Sequence, residues 1–354
     1  MAVFSAPSFR DHEQVQFCYD RATGLKTIIA VHDTTLGPAL GGTRMWAYET
    51  DAAALDDALR LSRGMTYKSA LAGLALGGGK SVILADPYRD KSPALFEAFG
   101  RAVDRLGGRY IAAEDVGTSV ADLEHVRRAT THVAGIAEGG VGDPSPATAW
   151  GIYHGVRAAV AHKLGRTDLR GLKVAVQGLG HVGWLLCQHL HQAGAQLTVA
   201  DIRDEMVRQA QAAFGATAVA PDAILRQKVD VVAPCALGGA INDRTLAELK
   251  APIVAGSANN QLAEDRHGRE LAERGVLYAP DYVINAGGII IISHEGPDYD
   301  AAAAMAHVAG IGGTLRDIFR RAEAQGIATS EMADHMAEER IARAKGTQAL
   351  KMAS

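Results

Sequence analysis

The sequence predicts an α/β protein of two domains, the second built on a doubly wound parallel sheet. Three observations carry that expectation. The chain has 354 residues, the length of about two domains at roughly 150 residues each. From Val174 to Pro280, short apolar stretches alternate with helical or turn sequence, as in a parallel sheet whose crossover helices cover both faces. Between the halves, GGVGDPSP at 139–146 is the strongest turn-rich break.

The first half opens with VQFCYDRATGLKTIIAVHD, a hairpin turning at Thr23-Gly24. Asp51 to about Arg63 repeats apolar residues at helical spacing behind a capping aspartate. Lys80 to Leu84 forms a short strand ended by Asp86-Pro87. Ser92-Pro93 opens a helix, serine as cap and proline at its first position. Its apolar face holds Leu95, Phe96, Phe99, Val103 and Leu106, and Gly107-Gly108 stops it. Tyr110 to Ala113 is a strand with Glu114-Asp115 at its end. A second Ser-Pro start, Ser145-Pro146, begins a helix to about Leu164.

Strands follow at Val174 to Gln177, Leu197 to Ala200, Val229 to Pro234, Pro252 to Gly256 and Val276 to Pro280. A helix starts at His181, and the run Ile289 to Ile292 has the length of a buried strand. Two helical stretches, about Ala301 to Gln325 and Glu331 to Ala344, close the chain.

Composition narrows the class. Hydrophobic residues make up 48% and charged ones 21%, ordinary globular values. A balance of 36 basic against 40 acidic residues argues against an electrostatic nucleic-acid binder. Cys18, Cys187 and Cys235 are odd in number and widely spaced, and make no disulfide framework or CxxC motif. The N-terminus lacks a secretory pattern, and no stretch approaches the ~20 apolar residues of a membrane span. A cytoplasmic protein with no membrane partner is expected. The 13 histidines form no HExxH and no ligand-spaced cluster, so no metal is expected.

Glycine is in surplus, with 39 residues gathered in short clusters. One cluster follows the strand ending at Gln177: Gly178-Leu179-Gly180-His181-Val182-Gly183, a G-x-G-x-x-G. The first glycine makes the tight turn and the second admits a pyrophosphate. The third packs helix on strand, and the phosphate sits on the helix N-terminus. Asp201 ends the next strand 23 residues past Gly178, where a carboxylate accepts the adenosine ribose hydroxyls. The second domain therefore reads as a Rossmann-type cofactor domain for NAD. Arg203 could serve a 2′-phosphate, but the carboxylate at Asp201 repels one. A second cluster, Gly77-Gly78-Gly79-Lys80-Ser81, is no P-loop, because the required first glycine is Leu74 and the segment leads into a strand.

In the first half Leu40-Gly41-Gly42-Thr43-Arg44, the lysines Lys68 and Lys80, and Asp115 converge. A lysine in a glycine-walled apolar site loses solvation and can work as a base. A second, charged lysine can hold a substrate carboxylate, and a carboxylate can shuttle protons. Taken singly each lysine reads as a solvated surface residue. GGGK is the exception, because three glycines beside one lysine have little structural purpose unless something packs on them.

From Leu36 to Lys345 the chain resembles the amino-acid dehydrogenase superfamily of glutamate, leucine, valine and phenylalanine dehydrogenases, the leucine enzymes above all. The resemblance rests on GGTRMW (41–46), LSRGMTYKSALAGLALGGGKSVI (61–83), GRYIAAEDVGTS (108–119), DPSP (143–146) and VAVQGLGHVG (174–183). APCALGG (233–239), AGSANNQL (255–262) and YAPDYVINAGG (278–288) complete the set. It implies that Lys80 is the catalytic lysine activating water against the iminium carbon. Lys68 would bind the substrate carboxylate with help from Gly41 and Gly42, and Asp115 would exchange protons with the amino group. Leu40, Met65, Ala113, Asn260, Ile289 and Ile292 would complete the substrate site. The cofactor residues would be Gly178, Gly180, His181, Val182, Gly183, Asp201, Arg203, Thr148, Cys235, Ala236, Asn260 and Asn285.

The implied reaction passes hydride from an amino-acid Cα to NAD+ and yields the 2-oxo acid and ammonium. The implied architecture is a substrate-binding and oligomerisation domain over 1–140, joined by a C-terminal helix over 328–354, and an NAD-binding domain over 141–327. A cleft would lie between them, in a homo-oligomer of eight subunits or fewer.

Side-chain preference follows from departures. Glutamate enzymes of the superfamily carry lysine where Leu40 stands, so a glutamate side chain would lose its ion partner here, at several kcal/mol. Ile289 and Ile292 replace valines of the leucine enzymes, and a methylene shifts discrimination by only ~1–3 kcal/mol. Valine, isoleucine or leucine is expected over phenylalanine. Ile291 and Glu295-Gly296-Pro297 depart from the family pattern. An aromatic amino-acid dehydrogenase is the alternative, and a non-catalytic NAD-binding protein a remote one.

Overall fold

The structure, a computed structural model, describes residues 3–136, 142–296 and 298–353. The first three residues of the expected break at 139–146, and Pro297, lie outside them. The chain divides into two compact units: Met1–Asp143 with Ile292–Tyr299 and Ala337–Ser354, and Pro144–Ile291 with Asp300–Met336. The first unit therefore regains the chain at Ala337, and it includes a short segment, 292–299, that the expected boundaries assign to the second.

The first unit holds β1 (Gln14–Asp20), β2 (Leu25–Asp33), β3 (Ala39–Trp46), α1 (Asp51–Leu71), β4 (Gly77–Leu84), α2 (Pro93–Asp104), β5 (Tyr110–Glu114) and α3 (Val120–Arg127). Its sheet runs β1-β2-β4-β3-β5. β1 and β2 form the expected hairpin, with Gly24 at φ +74° closing the turn. β2 pairs antiparallel with β4, while β3 pairs parallel with both β4 and β5. Leu25, Ile29, Val31, Met45 and Ile83 on one face meet Leu95, Phe96, Phe99 and Val103 of α2. The other face buries Ile28, Ala30 and Val82 with Ala54, Leu55, Ala58 and Leu59 of α1.

Two expectations here are corrected. Thr50, not Asp51, caps α1, its side chain accepting the Ala53 N–H, and the helix runs past Arg63 to Leu71. Gly64 does not stop it, since burial of Thr66, Tyr67 and Ala70 outweighs one glycine's ~1 kcal/mol. β3 is a strand the linear pattern did not show, its centre being Gly41-Gly42.

The second unit holds α4 (Ser145–Leu164), β6 (Lys173–Gln177), α5 (His181–Gln192), β7 (Gln196–Ala200), α6 (Asp204–Phe214), β8 (Thr217–Ala218), β9 (Val231–Pro234), α7 (Asp243–Glu248), β10 (Ile253–Val254), α8 (Arg266–Glu273) and β11 (Leu277–Tyr278). There follow α9 (Asp281–Ile284), α10 (Gly287–Ser293), α11 (Ala301–Ala309), α12 (Ile311–Gln325) and α13 (Thr329–Ala353), the last passing into the first unit at Ala337. All strand pairs are parallel in the order β8-β7-β6-β9-β10-β11, which is the doubly wound 3-2-1-4-5-6 of a dinucleotide fold.

The isoleucine run is helical, in α10, and not a strand. Four apolar residues cannot separate the two by periodicity. At the start of α10 Gly287 lies with bare backbone against α4: a Cβ there would be 2.4 Å from Ala147 O. Among the described residues no helix is long and apolar enough to cross a membrane.

Candidate active site

Lys80 lies within β4 and is only 5% exposed. Its Nζ is 2.8 Å from Asp115 Oδ2. Asp115 stands one residue beyond β5, where its backbone N–H donates to Thr118 Oγ1, whose hydroxyl reaches the Thr43 carbonyl. Arg44 Nε reaches the same Asp115 Oδ2 at 3.0 Å. Lys80 and Asp115 are thus brought together, as the sequence predicts, with Arg44 as a third member.

Burial pushes the Lys80 ammonium below the ordinary lysine range; Asp115 opposes the shift and Arg44 adds to it. Burial would raise Asp115, but Lys80 and Arg44 outweigh it and hold the carboxyl below its ordinary range. The pair is an ionised carboxylate beside a lysine that gives up its proton more readily than in water.

The glycines explain how these groups come so close. A Cβ on Gly41 would lie 1.7 Å from Gly79 O, and one on Gly42 would lie 2.7 Å from Asp115 Cβ. The sequence left open what packs on Gly77-Gly78-Gly79, and the structure answers that it is the protein. A Cβ on Gly77 would meet Asp33 O, one on Gly78 the Thr66 backbone of α1, and one on Gly79 the Tyr110 ring. Tyr110 is fully buried and donates to Gly41 O at 2.7 Å. Lys68 and Met65 are half-buried towards the end of α1, either side of Thr66. Leu40 and Ala113 are buried in β3 and β5 at 4% and 5% exposure.

In the second unit, Gly178 adopts φ +92°, and a Cβ on Gly183 would lie 2.1 Å from Gly178 O. A Cβ on Gly180 would meet nothing within 4 Å. The turn is therefore tight at its first and third glycines and open at the second. Cys235 and Ala236 pack against it, Cys235 N donating to Gln177 O at 2.7 Å. His181 and Val182 begin α5. Asp201 Oδ2 accepts the Leu179 N–H at 2.6 Å, and its other oxygen accepts from Arg203. Burial works against the Asp201 charge, but Arg203 and the Leu179 N–H hold its carboxyl below the ordinary range.

Asn285 Nδ2 donates to Ser257 O and Asn259 Oδ1, while its buried Oδ1 has no partner among the described residues. Asn260 is exposed at φ +50°. Thr148 lies against Gly287 and Gly288. The open Gly180, the carboxylate beside it and the orphaned Asn285 oxygen fit a dinucleotide.

Ile289 and Ile292 fall in different units. Ile292 packs on Gly135, whose N–H donates to Glu295. Asp243, His267 and Glu270 also come within ligand distance of one another, a grouping that linear spacing did not show. His267 Nδ1 accepts the Glu264 N–H, leaving Nε2 to donate to Asp243. Arg266 pairs with both carboxylates, so these groups form an ion-pair network.

The sequence showed Arg44 without a role and missed Asp57 and Tyr48. Arg44 Nη1 is 2.8 Å from Asp57 Oδ2, which also accepts the Tyr48 hydroxyl at 2.7 Å. The available signal was the arginine two residues past Gly41-Gly42, on the strand beside Lys80 and Asp115.

Residues 11–132 match the family described as Glu/Leu/Phe/Val dehydrogenase, dimerisation domain. Residues 139–210 and 198–349 match Glutamate/Leucine/Phenylalanine/Valine dehydrogenase. The chain is 54% identical over 343 residues to a leucine dehydrogenase of Geobacillus stearothermophilus, covering 96% of this chain and 94% of that one. It is 53% identical over 345 residues to the leucine dehydrogenase of Bacillus subtilis (strain 168), covering 97% and 95%. Among solved structures it resembles L-tryptophan dehydrogenase from Nostoc punctiforme, with TM-score 0.84 and 47% identity over 95% of this chain and 97% of that one.

Proposed function

The chain belongs to the glutamate/leucine/phenylalanine/valine dehydrogenase family, and from that premise we propose that it catalyses reversible NAD-dependent oxidative deamination of branched-chain L-amino acids. The amino acid, NAD+ and water give the 2-oxo acid, ammonium, NADH and a proton. The observation that carries the reading is the buried Lys80 Nζ held 2.8 Å from Asp115 Oδ2.

When bound, the nicotinamide cofactor supplies the hydride acceptor. Lys68 pairs with the substrate carboxylate, and the backbone at Gly41-Gly42 orients it. Asp115, ionised, takes a proton from the substrate ammonium so that the amine can become an imine. Lys80 acts as general base, withdrawing a proton from the water that attacks the imine carbon. Its burial favours the neutral form that this step needs.

Leu40, buried where the glutamate enzymes place a lysine, leaves an apolar side-chain site. The cofactor fits the second unit, with pyrophosphate over Gly180 and the amide at Asn285. Asp201 takes the ribose hydroxyls, which favours NAD over NADP. The description of residues 11–132 as a dimerisation domain supports assembly with further copies of this chain.

The test is initial rates of NAD+ reduction with leucine, valine, isoleucine, phenylalanine, tryptophan and glutamate. The branched-chain substrates lead if the reading holds. Activity confined to an aromatic substrate would contradict it.

A further inference from the structure

One oxygen of Asp115 carries two cations. Lys80 Nζ and Arg44 Nε both bind Oδ2, at 2.8 and 3.0 Å. Arg44 divides its fork between Asp115 and Asp57. Asp57 is itself fixed by Tyr48 on one oxygen and by Arg60 on the other, at 2.7 and 2.8 Å. Arg44 and Asp57 are 18% and 13% exposed at their side chains, so water screens them weakly. A permanent cation on the oxygen that the lysine uses competes for that oxygen and repels the ammonium.

We propose that Arg44 is a positioning residue, anchored by Asp57 and Tyr48, that fixes Asp115 and sets the pH range in which Lys80 works as a base. The proposal rests on the roles of Lys80 and Asp115 given above. The charged and titratable groups that act on the pair are Arg44 from β3 and Tyr48 beyond it, Asp57 from α1, and Tyr110 and Glu114 from β5. Of these, Arg44 disfavours the Lys80 charge and Asp57 favours it. The two therefore have opposite signs. Loss of Arg44 restores the ammonium and moves the acid limb of activity upward. Loss of the Asp57 charge leaves Arg44 wholly to Asp115 and moves the limb downward.

The experiment is the pH profile of kcat/KM for L-leucine with NAD+, in wild type and in Arg44→Met, Arg44→Lys, Asp57→Asn and Lys80→Ala. Arg44→Met should raise the acid limb by about one pH unit, a loss of about tenfold at a fixed pH below the limb. Arg44→Lys keeps the charge without the fork, so its limb should return towards wild type while kcat stays reduced. Asp57→Asn should lower the limb. Limbs that coincide with wild type, or that move the same way in Arg44→Met and Asp57→Asn, overturn the proposal. Should Arg44→Met fail to fold, an unmoved limb in Asp57→Asn overturns it alone. An inactive wild type or an active Lys80→Ala instead overturns the underlying reading, and this proposal with it.

Discussion

Gly79 and Tyr110 share one space: a Cβ on Gly79 would lie 2.6 Å from ring Cδ2 and 2.8 Å from Cε2 of the fully buried tyrosine. The ring cannot yield freely, because its hydroxyl donates to Gly41 O and lies 2.9 Å from Ser81 Oγ. The glycine before Lys80 is therefore a packing requirement of the sheet. Gly79→Ala should destabilise the protein by about 1–3 kcal/mol, measured as a lowered denaturant midpoint. Gly180→Ala, with no atom in its way, should keep the wild-type midpoint and weaken NAD+ binding. Equal stability losses in both would contradict this division.

That division also shows what was legible in the sequence. The G-x-G-x-x-G and the carboxylate after the next strand are local signals, and the sheet around them is the parallel, doubly wound one expected. Lys80 and Asp115 stood out as chemistry-bearing residues at strand positions. The Arg44–Asp57 pair did not, because β3 and α1 meet only in the folded sheet. β3 escaped notice because Gly41 and Gly42 remove the side chains that mark a strand. The isoleucine run misled for the opposite reason, since apolarity alone carries no period.

Cofactor choice is tested at Asp201, whose side chain is 7% exposed beside an Arg203 that is 56% exposed. Asp201→Ala should remove the hydrogen bonds to ribose and free Arg203 for a 2′-phosphate. Bonds to a charged group are worth ~1.5–3 kcal/mol, so the NAD+/NADP+ ratio of kcat/KM should fall about tenfold or more. An unchanged ratio would remove Asp201 from the cofactor site.

Burial of His32 should make the folded protein less stable in acid. It pushes the His32 pKa down to about 4, with the neighbouring His12 adding to the effect. Its Nδ1 lies 2.8 Å from Thr66 Oγ1, in the helix that carries Lys68. With the folded value depressed, the unfolded chain takes the proton first as pH falls. The stabilisation is complete above about 6.5 and is lost as pH drops through the folded value of about 4. Near pH 5 the loss should be about 1–2 kcal/mol. Urea midpoints at pH 7.5 and 5 measure it, and His32→Gln should shrink the difference between them. A difference unchanged in His32→Gln would assign the acid sensitivity elsewhere.

Lys80→Arg separates a neutral base at Lys80 from a mere cation beside Asp115. Arginine preserves a cation for Asp115 but does not deprotonate in proteins. The measurement is kcat/KM for L-leucine oxidation at alkaline pH in wild type, Lys80→Ala and Lys80→Arg. A base role predicts that both variants lose activity alike, by about 10²–10⁴-fold. Activity in Lys80→Arg within about tenfold of wild type, well above the general-base range, would show that the charge suffices and would contradict the account.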